Sequence, residues 1–175
     1  FMSKPQDILL VGLGGIGMSG IAEVFLAQGH EVSGSDLNAN DITELLVHLG
    51  ARFEQKHSKE NVRNVDVVVG LDEGCTEVYA YGHDVPVVVV DGFKYRQHKP
   101  GGKKYEEEDI YRTEAATHVK LEDLNDAVQY ELAHPSHRME HRKRVAEREL
   151  GISKGEATQN IINTIKADMR NHAPA

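Results

Sequence analysis

The hexapeptide Gly12-Leu13-Gly14-Gly15-Ile16-Gly17 lies between an apolar run, Asp7–Val11, and a segment of helical periodicity from Ile16 to Gln28. Strand, G-x-G-x-x-G, helix: no other feature restricts the chain as much. In such a unit the first glycine permits a tight turn. The second lets the backbone approach a diphosphate, and the third lets helix and strand pack closely. The helix amino terminus then presents unpaired N–H groups and a partial positive charge to phosphate oxygens. Asp36 ends the next short apolar run, where folds of this kind place an acid against a ribose hydroxyl. The plainer reading of the same residues is a helix–strand turn that needs glycine and binds nothing.

The alternation continues along the chain. Residues 31–33 form a second short strand. Asp41-x-x-Glu44 has capping-box spacing and opens a helix with Ile42, Leu45, Leu46 and Leu49 on one face. Residues 51–53 make a weak third strand, 65–69 (V-D-V-V-V) a strong fourth, and 85–90 (V-P-V-V-V-V) a fifth, with a short helix over 76–81 between the last two. Residues 115–119 are a candidate sixth strand. Helices follow over 121–133, broken before Pro135, and over 137–150. Ser153-x-x-Glu156 opens a last helix with Ile161, Ile162, Ile165 and Met169 on one face. Strict alternation predicts one α/β domain over 1–175. It is a Rossmann-like, doubly wound, three-layer fold with five or six parallel strands in the order 3-2-1-4-5(-6). Residues 91–108, with Pro100, Gly101 and Gly102 among basic side chains, read as a mobile loop.

Composition narrows the function. Twenty Lys and Arg stand against 28 Asp and Glu, a net charge of −8, which argues against a nucleic-acid partner. No apolar run approaches the length of a membrane span, so no membrane partner is expected. The single Cys75 excludes an internal disulfide and fits a reducing, cytoplasmic setting. Phe1 ahead of Met2 reads as an addition to a natural start. His134, His137 and His141 include an i, i+4 pair, but no carboxylate completes a ligand set, so no metal is assigned. Arg138, Arg142, Lys143, Arg144 and Arg148, interleaved with glutamates, read as a solvated helix face. No nucleophile with a partnered base is legible, so no catalytic residue is assigned.

The string V-G-L-G-G-I-G-M-S-G-I-A-E-V, with V-S-G-S-D, L-G-A and D-V-V-V, resembles the N-terminal domain of the UDP-N-acetylmuramate–L-alanine ligases of the Mur ligase family, over Asp7 to about Gly70. In that family this domain holds the UDP part of the substrate. The resemblance implies that Gly12, Gly14, Gly15, Ile16, Gly17, Met18 and Ser19 face the diphosphate and that Ser35 and Asp36 lie toward the nucleoside. His57 matches the family's Gly-His-Ser segment, with Lys56 in place of the glycine. The Ser-Ser-Ala-Ile-like turn and the Gly-Lys-Thr phosphate loop expected after Val69 are not in the sequence, so ligase chemistry is not expected and the chain is read as no enzyme as it stands.

Residues 65–165 are similar to the C-terminal lobe of two-lobed nucleotide-sugar glycosyltransferases and of the CDP-glycerol glycerophosphotransferases. That resemblance implies a second diphosphate turn at Gly74, Cys75 and Thr76, with Glu77 toward a ribose. Two resemblances meeting in one strand suggest a chimera, engineered or recombined, of a Mur-ligase-like half (1–70) and a glycosyltransferase-like half (71–175). On that reading the domain has no evolved activity and no cofactor. It keeps vestigial turns that bind UDP or phosphate weakly. Two alternatives stand beside it: a binding module for a UDP- or CDP-linked sugar of cell-wall biosynthesis, and a domain of an NAD(P)-dependent oxidoreductase.

Overall fold

Three continuous apolar runs form the centre of the sheet. The computed structural model describes residues 5–71, 75–90 and 114–150, the side chains of 75–78 excepted. Six strands are β1 (Asp7–Val11), β2 (Glu31–Ser35), β3 (Arg52–Glu54), β4 (Val67–Gly70), β5 (Val87–Val90) and β6 (Thr117–Val119). All pair in parallel, in the order β3-β2-β1-β4-β5-β6. The central pair aligns Ile8 with Val67 and Leu10 with Val69. This is the expected doubly wound, Rossmann-like α/β sheet. Its order reverses between β1 and β4 because right-handed crossovers from the two halves run outward in opposite directions.

Five helices cover the two faces among the described residues: α1 (Ile16–Ala27), α2 (Asp41–His48), α3 (Cys75–Gly82), α4 (Leu124–Ala133) and α5 (Met139–Leu150). A single 3-10 turn, Leu121–Asp123, leads into α4. Side chains alternate along each strand. Ile8, Leu10, Val67, Val69, Val88 and Val90 therefore meet α1, α2 and α4 on one face. Leu9, Val68, Val87 and Val89 meet Tyr81 of α3 and Val145 and Ala146 of α5 on the other. The three valines of β4 have no exposed surface. Burying each contributes about 1.5–3 kcal/mol, which explains why a strand covered on both faces reads as an unbroken apolar run.

Three sequence expectations need correction. The box that caps α2 is Asn40 with Thr43, one residue before the Asp41–Glu44 pair: Asn40 Oδ1 accepts from the Thr43 N–H at 3.0 Å, and Thr43 Oγ1 accepts from the Asn40 N–H at 2.9 Å. The apolar faces of α1 and α2 are narrower than their periodicity implied, since Val24, Leu45 and Leu49 are each 51% exposed. Arg142 is no part of a solvated face. It is buried against Asp84, whose Oδ1 lies 3.0 Å from its Nη2, and it also donates to the carbonyls of Pro135 and His137. The three histidines turn to separate partners: His134 to the Tyr130 carbonyl, His137 to buried Glu131, His141 to Glu114. The loop read over 91–108 and the last helix after Ser153 lie outside the described residues.

Candidate functional site

The glycine turn leaves β1 at the carboxyl edge of the sheet, beside the point where strand order reverses. Its shape follows from a few backbone contacts. Gly12 and Leu13 donate to the Ser35 carbonyl at 2.8 and 3.2 Å, and Gly15 donates to the Gly12 carbonyl at 3.1 Å. Gly12 has φ +81°, a conformation that side chains disfavour. Gly14 lies against the β2–α2 connection. A Cβ there would stand 3.0 Å from both Asn40 Nδ2 and Asp36 Oδ2, so any other residue would have to push these side-chain ends aside.

Helix α1 starts at Ile16 with Gly15 as its N-cap. No side chain caps it, and its first turn carries no acidic residue. The first N–H groups of a helix have no intrahelical acceptor. Gly15, Ile16 and Gly17 are exposed, with Ile16 86% open to solvent. Those amides and the positive end of the helix therefore face water at the carboxyl edge. Helix α2 is built the opposite way. Its Asn40–Thr43 box uses its own amides, and Asp41 and Glu44 place negative charge in its first turn.

The other residues named from the sequence divide into three groups. Neither Met18 nor Ser19 offers a ligand an exposed free amide, since Met18 has no exposed surface and the Ser19 N–H donates to the Gly15 carbonyl at 2.9 Å. Met18 is in the core, and Ser19 Oγ donates to the Ile16 carbonyl at 2.9 Å. Ser35 is fully buried, with Oγ 2.9 Å from His57 Nδ1, so the exposed imidazole stands at this edge and the hydroxyl does not. Asp36 does reach the turn, but toward protein. Its Oδ2 accepts from the Gly14 N–H at 3.0 Å and its Oδ1 from the Asn38 N–H at 3.1 Å. For the second turn, α3 begins at Cys75, on the face of the sheet opposite α1. Gly74 and the side chains of Cys75, Thr76 and Glu77 lie outside the described residues.

Two features were not anticipated. Asn40 joins the turn through its amide, which donates to the Gly14 carbonyl at 3.1 Å. No short-range signal could have found this contact, which joins residues 26 positions apart. An apolar cleft of about 310 Å³ opens beside Gly17, between α1 and α4, lined by Ile21, Val24, Phe25, Leu121 and Leu124. No group of His, Cys, Asp and Glu that could hold a metal occurs among the described residues, and no described helix is long and apolar enough to cross a membrane.

Known proteins resemble this chain in two ways. Its overall fold is similar to the calicheamicin glycosyltransferase CalG4, with a TM-score of 0.57 at 15% identity over 98% of this chain and 45% of that one. It is also similar to Acinetobacter baumannii MurG, with a TM-score of 0.53 at 13% identity over 94% and 52%. Identities this low speak to fold alone. In sequence, the chain is 55% identical over 69 residues to the UDP-N-acetylmuramate–L-alanine ligase of Anaeromyxobacter sp. (strain Fw109-5), covering 39% of this chain and 15% of the relative. It is 56% identical over 89 residues to the same-named ligase of Geobacter sulfurreducens, covering 49% and 19%. The chain thus spans less than a fifth of these relatives' length. The model of the Mur ligase family, catalytic domain, matches residues 7–95, which include β1 to β5 and the whole glycine turn. The chain belongs to the Mur ligase family.

Proposed function

We propose that this chain binds the diphosphate of a nucleotide-linked sugar at the amino terminus of α1 and performs no turnover by itself. The observation that carries this reading is the open N-terminus of α1, uncapped and free of acidic residues, behind a turn of the family's sequence. Backbone amides at such a place bind phosphate oxygens without any side chain. The relatives named as UDP-N-acetylmuramate ligases support a UDP-linked sugar as the ligand. In this reading His57, exposed beside Ser35, is available to a phosphate or ribose oxygen. Asp36 close by and the net charge of −8 oppose an anion, so UDP binding is millimolar at best, about 4 kcal/mol.

The same proposal takes the chain to be a chimera whose turns are vestigial. High identity to the ligases concentrated in no more than half of the chain supports that origin. Titration with UDP, followed by the amide signals of Gly14 to Ser19, tests the binding. Saturable shifts confined to the turn and the start of α1 are expected. Signals that stay still to a concentration on the order of 10 mM would remove the reading. Submicromolar affinity, or ligation of alanine to UDP-N-acetylmuramate in the presence of ATP, would show an evolved site and end the vestigial interpretation.

A further inference from the structure

We propose that Asp36 and Asn40 are positioning residues that hold Gly14 from both sides, Asp36 the peptide before it through the N–H and Asn40 the peptide after it through the carbonyl, and so aim the amides of α1. Asp36 then acts through the turn and does not reach a ribose. The proposal rests on the anion-binding reading above. Asp36 Oδ2 takes the Gly14 N–H at 3.0 Å, while Asn40 Nδ2 donates to the Gly14 carbonyl at 3.1 Å. Both side chains are committed at their other ends as well. Asp36 Oδ1 holds the Asn38 N–H at 3.1 Å, and Asn40 Oδ1 caps α2 through the Thr43 N–H at 3.0 Å. Each oxygen of this carboxylate already accepts one backbone N–H, and these two bonds fix its direction toward the turn.

The consequence for a ligand is geometric. The peptide after Gly14 leads into Gly15, the N-cap, and the orientation of that peptide sets where the exposed amides of Ile16 and Gly17 point. A glycine peptide left to itself samples many orientations. The two side chains remove that freedom before any ligand arrives, so binding does not bear the cost of ordering the turn. The carboxylate is needed for its acceptor oxygen, and its charge works against the anion. Positioning and charge are therefore separable by substitution.

Asp36→Asn removes the charge and keeps one accepting oxygen, enough for the Gly14 N–H at the loss of the Asn38 N–H, whereas Asp36→Ala removes both acceptors. Asn40→Ser keeps a capping oxygen for α2 but cannot reach the Gly14 carbonyl. Each variant is titrated with UDP and with inorganic pyrophosphate, which has no ribose. Amide exchange at Gly14 is measured in the ligand-free protein. Asp36→Ala and Asn40→Ser are expected to weaken both ligands by the same factor, about three- to tenfold, the scale of one lost hydrogen bond. Asp36→Asn is expected to bind both at least as well as the parent. Gly14 exchange should quicken in Asp36→Ala and stay slow in Asp36→Asn. Loss of UDP affinity alone, with pyrophosphate unchanged, would assign Asp36 to the ribose and overturn the clamp. Unchanged Gly14 exchange in Asp36→Ala would overturn it too. If neither ligand binds the parent, the nucleotide reading fails, and Gly14 exchange still decides the clamp. Should Asp36→Ala not fold, Asn40→Ser carries the same comparison.

Discussion

The two edges of the sheet treat polar groups in opposite ways. At the carboxyl edge the β1–α1 turn leaves helix amides facing water, and the side chains around it hold its backbone in place. At the amino edge the elbow between α4 and α5 buries two ionisable side chains and gives each a partner, although the second carboxylate oxygen of Glu131 has none. Arg142 and Glu131 are each 1% exposed there. Arg142 is held by Asp84, which precedes β5, and Glu131 by Thr117, which opens β6, and by His137 Nδ1 at 2.6 Å. A buried charge without its partner is far more costly than one kept in water, so the elbow can serve only to join elements. An exposed helix end costs little to leave open, and it stays available to a ligand. The difference teaches that buried side-chain pairs mark the structural joint of this protein, and that its candidate site is marked by exposed backbone amides left open.

The comparison breaks first at the elbow. Arg142→Ala should lower stability by about 3–5 kcal/mol, because Asp84 is left with an uncompensated charge at a half-buried position. Chemical denaturation measures this, and the amide signals of Gly15 to Met18 should not move. A loss below about 1 kcal/mol would mean that the pair behaves as a surface contact. Gly12→Ala comes next. At φ +81° a Cβ costs about 1–2 kcal/mol, and the same change should disorder the turn and reduce phosphate binding. Equal stability with intact binding would show that the turn tolerates a side chain.

Two smaller effects sharpen the contrast. Gly15→Asp gives α1 the capped end that α2 already has. It should raise stability by a few tenths of a kcal/mol at most, offset by a tight Cβ contact of 3.3 Å with the Gly12 carbonyl. Phosphate binding should disappear, because a carboxylate now occupies the amides. Binding that survives would place the anion elsewhere. The smallest effect is a pH dependence at His30. Burial pushes its pKa below 6.5, and its Nδ1 has no partner among the described residues. The neutral ring is thus favoured by folding. Its contribution is complete above pH 6.5 and is lost as pH falls from there toward the lowered folded value, where the unfolded chain protonates first. Solvent on the open side of the ring damps the size. Denaturation of His30→Gln beside the parent between pH 7.5 and 5.5 should show the parent losing its relative advantage on the acid side; parallel curves would leave His30 without a role.

The strand order and the glycine turn were legible because each depends on local signals. The apolar runs of β1, β4 and β5 identify doubly covered strands whatever packs on them, and the crossover rule then orders them. Helix faces were less legible. Val24 and Leu49 fit the apolar period of their helices and remain exposed, because periodicity gives the direction of a face and not its width. The α2 cap slipped by one residue because Asn40 and Asp41 both carry a capping oxygen and the entry angle of the chain chooses between them. The hydrogen bond between Asp36 and the turn was not legible, since it depends on the N–H of Gly14, 22 residues earlier in the chain.

The sequence by itself determined the alternation of strand and helix, the parallel sheet and the position of the glycine turn. Hydrophobic period, glycine placement and handedness are properties of short stretches, and they survive without knowledge of distant neighbours. The tertiary structure alone decided which polar side chains are committed. Arg142 stands in a run of charges that would be solvated on any isolated helix. It is buried because Asp84, 58 residues away, enters the elbow as its counter-charge. Asp36 and Asn40 become a clamp only when β2 pairs with β1 and brings the amino end of α2 against Gly14. A buried charge or a directed hydrogen bond depends on its partner's position in space, and that position exists only once the sheet has formed.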